Sequence, residues 1–249
     1  MSNSSSISSH DALSFQFVTL FPEIIHSYMH TGIVGRAVRN QHIQTQCVDL
    51  RHYGKGPYKS VDDLPFGGGP GMVIQAEPVA QAIDSLDDPG LKILLSPNGK
   101  VFTQQDAERL TKHSAITFIC GRYEGIDARI HIDYVDEVYS VGDYVLSGGE
   151  LPAMIIADAI TRLIPGVLNN QESAKYESHA QASDYLLEHP HYTRPAVWRG
   201  HEVPAVLMSG HHARIQAWRD QQSFELTARV RPELLSHSNL IAQKKQTNA

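Results

Sequence analysis

The 249 residues contain two cysteines, Cys47 and Cys120, far apart in sequence. That excludes a disulfide framework and any zinc site built on paired cysteines, and leaves two free thiols expected to be buried in a reducing compartment. Long apolar runs are missing as well. No stretch approaches the roughly 18 residues of a membrane span. Met1 to His10 carries six serines and no lysine or arginine, so it lacks the charged start and apolar core of a signal peptide. Residues 1–12 read as a disordered tail, and the protein as cytoplasmic. Basic charge is scarce overall: 21 Lys and Arg face 27 Asp and Glu, a net of −6. A uniformly basic coat is excluded, but a local basic patch is not.

Several familiar signatures are absent too. No G-x-G-x-x-G follows a strand and no G-x-x-x-x-G-K-[ST] occurs, which argues against dinucleotide and P-loop folds. There is no H-E-x-x-H or C-x-x-C, and Leu146-Ser147-Gly148-Gly149 lacks the first glycine of a nucleophile elbow. His189 and His191 stand at i and i+2. On a helix they would not share a face, so no metal site is expected.

What is present is a βα alternation. Phe15–Leu20, Ile43–Leu50, Lys92–Leu95, Ile116–Cys120 and Val135–Val141 read as strands. Pro22 suits the first turn of a helix, Thr103-Gln-Gln-Asp106 resembles a capping box opening a helix to about Lys112, and Leu151–Leu163 has the apolar content of a buried helix. The pattern implies an α/β fold with a parallel sheet covered by helices. Residues 169–189 are polar and aperiodic and read as a flexible linker, unordered before any partner binds. Residues 190–249 read as a small, mainly helical second domain, with helices around Arg214–Arg219 and from Pro232. In that last segment eight basic residues (Arg194, Arg199, Arg214, Arg219, Arg229, Arg231, Lys244, Lys245) face four acidic ones (Glu202, Asp220, Glu225, Glu233), while the first 189 residues are net acidic. An acidic body with a basic appendage fits a polyanion gripped from one side, and equally fits an ordinary solvated surface.

Half of the 18 glycines fall in three loops, Phe66–Met72, Gly121–Gly125 and Gly142–Glu150. A related loop, Ser96-Pro97-Asn98-Gly99, follows the strand at 92–95. Three of the four follow expected parallel strands, where ligands of such sheets bind. Glycine there lets main chain approach a ligand closely. The loops carry small and apolar residues and lack the Lys-Ser/Thr of a phosphate cradle. They suit an adenine ring with a thioether or sulfonium arm better than a triphosphate.

Five motifs then occur in order: Phe66-Gly-Gly-Gly-Pro-Gly-Met72, Leu95-Ser-Pro-Asn-Gly99, Gly121-Arg-Tyr-Glu-Gly125, Ser140-Val-Gly-Asp-Tyr-Val-Leu-Ser-Gly-Gly-Glu150 and His191-Tyr-Thr-Arg-Pro195. Together they resemble the bacterial tRNA (guanine-N1)-methyltransferases of the SPOUT superfamily, from about Leu13 to Leu235. The resemblance implies a SPOUT-type parallel sheet with a deep trefoil knot in a cofactor-binding domain at 13–168. It implies S-adenosyl-L-methionine as methyl donor, the anticodon arm of tRNA as substrate, guanosine 37 following guanosine 36 as target, and an obligate homodimer with shared active sites. By motif, the cofactor contacts would be Leu95, Ser96, Pro97, Gly121, Tyr123, Glu124, Ser140, Val141, Gly142, Asp143, Tyr144, Val145, Leu146, Gly148 and Gly149, with Glu124 facing the positively charged cofactor end. Arg162 matches the family's arginine for O6 of the guanine.

The general base departs from the family. Where an Asp-Ser-Phe stretch is usual, this chain has Glu177-Ser178-His179 and a few extra residues before His191. Glu177 is the first candidate and Asp184 the second. Arg194, Arg199, His201, His211 and Arg214 are candidates for phosphate contacts. No resident metal is expected; any magnesium would act through the substrate or a single carboxylate. A SPOUT enzyme acting on a ribose hydroxyl, and an RNA-binding protein with a degenerate cofactor pocket, are the two competing readings.

Overall fold

A computed structural model describes residues 12–169 and 176–237. The expected tail at 1–12 lies almost wholly outside the described residues. The chain forms two compact units, dividing between Asn169 and Asn170.

The first unit is built on a five-stranded, all-parallel sheet. Its strands are β1 (Leu13–Thr19), β2 (Ile43–Asp49), β5 (Leu91–Val101), β6 (Ala115–Cys120) and β7 (Glu137–Ser140), in the order β2-β1-β6-β5-β7. Two short strands, β3 (Asp62–Asp63) and β4 (Val73–Ile74), form a separate antiparallel ribbon. The central strands are apolar at nearly every position because both faces are covered. On one face Phe15, Phe17, Ile93, Ile116 and Phe118 pack under α1 (Pro22–Met29), α2 (Gly32–Arg39), α4 (Gln104–Leu110) and α6 (Glu150–Leu163). On the other, Val18, Leu94 and Ile119 pack against α3 (Ala76–Asp84) and α5 (Ile130–Asp133). Phe118 stacks between Phe15 and Phe17, with ring centroids 6.0 and 5.4 Å away.

The local signals account for the ends of these elements. Pro22 occupies the first turn of α1, where its missing N–H costs nothing. Thr103 and Asp106 form the reciprocal capping box of α4. Cys120 is buried and Cys47 half-buried; burial pushes Cys47 up to about 11 and Cys120 well above its ordinary value, so both stay protonated at neutral pH.

One strand differs from expectation. The loop expected after Leu95 lies inside a single strand, β5, as a bulge. Leu95 pairs with Tyr139, the ladder breaks over Ser96–Gly99, and Lys100 pairs with Tyr139 again. Pro97 has no N–H to donate, so the ladder cannot run through it, and the excess residues are extruded towards the end of the sheet.

The second unit carries the hairpin β8 (Val197–Trp198) and β9 (His201–Glu202), a short helix α7 (Ala205–Met208), the long helix α8 (His212–Val230) and a 3-10 turn at Pro232–His237. Residues 176–189 do not behave as a featureless linker. They contain a 3-10 turn at Gln181–Ser183 and bury Ala180 and Leu186. They are tied to α8: the Leu187 N–H donates to Thr227 Oγ1 at 3.0 Å, and Ser223 Oγ donates to the Leu187 carbonyl at 2.5 Å. Polar composition hid this packing, because the anchors are backbone groups meeting hydroxyls on α8.

Candidate active site

In the sheet order, β6 and β7 lie on opposite sides of β5. Chain leaving β6 and chain leaving β7 therefore flank the carboxyl end of β5. Such a reversal of strand order is where open parallel sheets bind ligands. A cavity of about 410 Å³ lies there, within the usual range for small-molecule sites. Its walls are the three strand ends: Leu95, Ser96 and Pro97 from β5 and its bulge, Gly121, Tyr123 and Glu124 after β6, and Ser140, Val141, Tyr144, Val145, Leu146, Gly148 and Gly149 after β7. Among the expected cofactor contacts, Gly142 and Asp143 alone do not line it. Gly142 instead closes a tight turn, its carbonyl accepting from Ser140 Oγ at 2.9 Å.

Main chain forms much of the wall. The Gly149 N–H donates to the Gly121 carbonyl at 2.9 Å, and Arg122 and Gly148 form an antiparallel bridge. A Cβ on Gly149 would lie 2.8 Å from the Cys120 Cα, so glycine is needed there for two chain segments to cross. Gly121 differs. A Cβ there would find its nearest neighbour 3.7 Å away, at Ile126. Packing does not demand glycine at 121, whereas close approach of a ligand to the backbone would.

The Phe66–Met72 loop does not line the cavity but packs against Glu124, which does. The Glu124 N–H donates to the Met72 carbonyl at 3.0 Å, and a Cβ on Gly71 would fall 2.5 Å from Glu124 Oε1. Gly67, Gly68, Gly69 and Gly71 all have positive φ, which explains that density of glycine. Glu124 itself is solvent-exposed, a carboxylate at the mouth of a partly apolar cleft. Such a cleft fits a ligand with an aromatic ring and a cationic end.

Sequence reasoning missed Arg122 as part of this wall and the contacts that support it. Arg122 Nε donates to Glu150 Oε2 at 2.9 Å, and Thr19 Oγ1 donates to Glu150 Oε1 at 2.8 Å. Tyr139 also lines the cavity and donates to Asp106 at 2.9 Å; burial first, then the neighbouring Glu137 and Asp106, raise its pKa and keep it a donor. These pairs join residues far apart in sequence, and no local motif announces them.

Arg162 is not brought to this cavity. It sits half-buried in the last turn of α6, whose Pro152 is at the wall. Ten residues of helix place them about 15 Å apart along the axis. Glu177 and Asp184 lie in the second unit. Both belong to one compact loop: the Ser183 hydroxyl donates to the Glu177 carbonyl at 2.8 Å, and the Asp184 N–H donates to the Gln181 carbonyl at 3.0 Å. Arg194, Arg199, His201, His211 and Arg214 are all exposed on that unit. Arg199 and Gly200 form the two-residue turn of the β8–β9 hairpin, both at positive φ, and the Arg199 guanidinium covers the exposed Trp198 ring at 5.0 Å.

Among the described residues, Glu188, His189 and His191 carry ligand-type atoms that all lie within 4.8 Å of one another. The expectation that the two histidines diverge is therefore corrected. The stretch is not a helix, since Pro190 disfavours helical backbone at His189, and the i, i+2 argument does not apply.

The family model for tRNA (Guanine-1)-methyltransferase TrmD matches residues 13–237. The chain belongs to the TrmD family. Its parallel sheet and covering helices are the SPOUT-type α/β frame that membership implies. Relatives named tRNA (guanine-N(1)-)-methyltransferase extend across bacteria. That of Ruminiclostridium cellulolyticum is 47% identical over 237 residues, covering 92% of this chain and all of the relative. Those of Moorella thermoacetica and Shewanella piezotolerans are each 47% identical, covering 90% and 92% of this chain and 90% and 93% of their own length. No helix among the described residues is long and apolar enough to cross a membrane.

Proposed function

We propose that this TrmD-family chain is a tRNA methyltransferase that transfers the methyl group of S-adenosyl-L-methionine to N1 of guanosine 37, next to guanosine 36, and so supports reading-frame maintenance in the cytoplasm. The observation that carries the reading is the cavity at the strand-order reversal, lined by the glycine loops of the family. Bound there, S-adenosyl-L-methionine supplies an electrophilic methyl carbon. The walls would orient it: Gly121 and the loop after β7 would hold it against main chain, and exposed Glu124 would offer a carboxylate to its cationic end. The close crossings at Gly99 and Gly149, where an added Cβ would lie 2.5 Å from Tyr139 and 2.8 Å from Cys120 backbone, support a knotted threading of this region.

Guanine N1 carries a proton at neutral pH. A carboxylate must take it as the methyl arrives, and we assign Glu177 to that task, with Asp184 as the alternative. Charge then grows on O6, and Arg162 is assigned to stabilise it. Separation of Arg162 from the cavity along its own helix supports a site completed by a second copy of the chain. Leu151 and Ile155, exposed one turn apart on α6, together with Ile24, Tyr28 and Ile33, offer an apolar face for that copy. Exposed Trp198 and Tyr192 beside Arg194, Arg199, His201, His211 and Arg214 suit an RNA arm, through stacking and phosphate contact. Binding to tRNA is expected to weaken steeply with salt despite the acidic whole.

The test is label transfer from S-adenosyl-L-methionine to two unmodified transcripts, one with guanosine at 36 and 37 and one with adenosine at 37. Label on the first alone, recovered as 1-methylguanosine, is expected. Label on a ribose, or none with the cofactor bound, overturns the proposal in favour of the two competing readings.

A further inference from the structure

We infer that Glu188, His189 and His191 form a binding site for a single divalent transition-metal ion of the zinc, nickel or copper class. His191 Nε2 lies 2.8 Å from Glu188 Oε1, a contact that needs only those two residues. The second imidazole lies beside it, its ring centre 4.6 Å from that of His191, and the ligand-type atoms of all three residues fall within 4.8 Å of one another. That is a spacing a single cation could close.

The segment is anchored for this purpose. The Leu187 N–H and carbonyl are held by Thr227 and Ser223, and the Glu188 N–H donates to Ser178 Oγ at 2.9 Å. Pro190 disfavours helical backbone at His189, and three side chains from four consecutive residues converge. His189 Nδ1 lies 3.2 Å from the Pro190 carbonyl oxygen. With the proton on Nδ1, Nε2 is left as the ligand, the usual outer-shell arrangement of a metal-binding histidine. Closing the cluster around an ion at about 2.0–2.1 Å needs only side-chain rotation, because His191 is exposed and the other two are half-buried. Two imidazoles with one carboxylate favour borderline metals over magnesium or calcium. The fourth position would hold water.

The metal-free full-length protein is titrated with zinc chloride against a chromophoric chelator, and with copper(II) while tryptophan fluorescence is followed. Trp218, whose ring centre is 6.3 Å from that of His189, is the reporter, in a Trp198→Phe background. One zinc per chain is expected, with quenching that saturates at the same stoichiometry. The double variant His189→Ala/His191→Ala should weaken binding by at least about tenfold, and Glu188→Gln by less. His26 and His30, whose rings stack 5.8 Å apart on α1, are the rival location. His26→Ala/His30→Ala should leave binding intact. Unchanged affinity in the His189/His191 variant, loss in the His26/His30 variant, or no binding tighter than about millimolar overturns the proposal. Unaltered circular dichroism in each variant keeps a folding defect from imitating either result.

Discussion

Arg122 Nε and Glu150 Oε2 meet 2.9 Å apart at the cavity on the strand-order reversal, which Arg122 lines, and Glu150 is almost wholly buried. The same guanidinium donates to the Ser147 carbonyl at 3.2 Å and lies over the Phe21 ring at 4.3 Å. One side chain thus ties the chain leaving β6 to the chain entering α6. Removing it strands a buried carboxylate. Arg122→Ala is expected to cost about 3–5 kcal/mol in urea unfolding. Arg122→Met combined with Glu150→Gln should cost clearly less than the two single changes added together. Additivity within about 0.5 kcal/mol would contradict this coupling.

Two glycines of the cavity wall should behave oppositely. Gly149→Ala forces a Cβ to within 2.8 Å of the Cys120 Cα, so its thermal midpoint should fall. Gly121→Ala has room, with its nearest neighbour 3.7 Å away. It should melt normally yet bind S-adenosylhomocysteine more weakly, by about tenfold, equivalent to about 1.4 kcal/mol. Calorimetric titration beside a melting curve separates the two. Normal cofactor affinity in Gly121→Ala would remove the argument that main chain at 121 contacts the ligand.

These glycines show what the sequence makes legible. Strands β1, β5 and β6 are buried on both faces, so their apolar runs stand out unaided. The loops at 121–125 and 142–150 follow the parallel strands β6 and β7 directly, so their convergence follows from parallel topology, whereas the Phe66–Met72 loop sits between β3 and β4 and does not line the cavity. The Thr103 cap is local and reads correctly. Arg122 with Glu150 and Asp106 with Tyr139 are partners set by tertiary folding, and neither is visible along the chain. The β8–β9 hairpin escapes because Arg199-Gly200 replaces the usual Asn-Gly at a turn where both residues take positive φ. The packing of 176–189 escapes because its anchors are backbone groups.

Stability should fall in acid partly through Asp106. Burial alone would raise its pKa, but hydrogen bonds from Lys100, Thr103 and Tyr139 hold it below the ordinary 3.8. A depressed folded-state value means the contribution is present above pH 3.8 and is lost as pH falls towards the folded-state pKa. Asp106→Asn should therefore be less stable than the parent at neutral pH, with the gap narrowing below that point. Urea midpoints measured from about pH 6 down to about pH 3 check this. A gap that stays constant with pH would contradict it.

Glu177→Gln should abolish most methyl transfer at neutral pH while tRNA and cofactor binding persist, since it removes a base but keeps shape. Asp184→Asn should retain most turnover. Both residues lie in one loop, so single-turnover rates are compared under saturating tRNA. The reverse pattern would move the base to Asp184.

The central claim is that one active site combines the cavity of one copy with Arg162 of another. The most direct measurement mixes Arg162→Ala, which would lack the proposed O6 contact, with Gly121→Leu, whose side chain would fill the cavity. Each should be inactive alone. After mixing and subunit exchange, about a quarter of wild-type methyl transfer should return, because half of the dimers then hold one intact composite site. No recovery, with exchange verified by mass, would place Arg162 and the cavity in the service of the same chain and contradict the shared site.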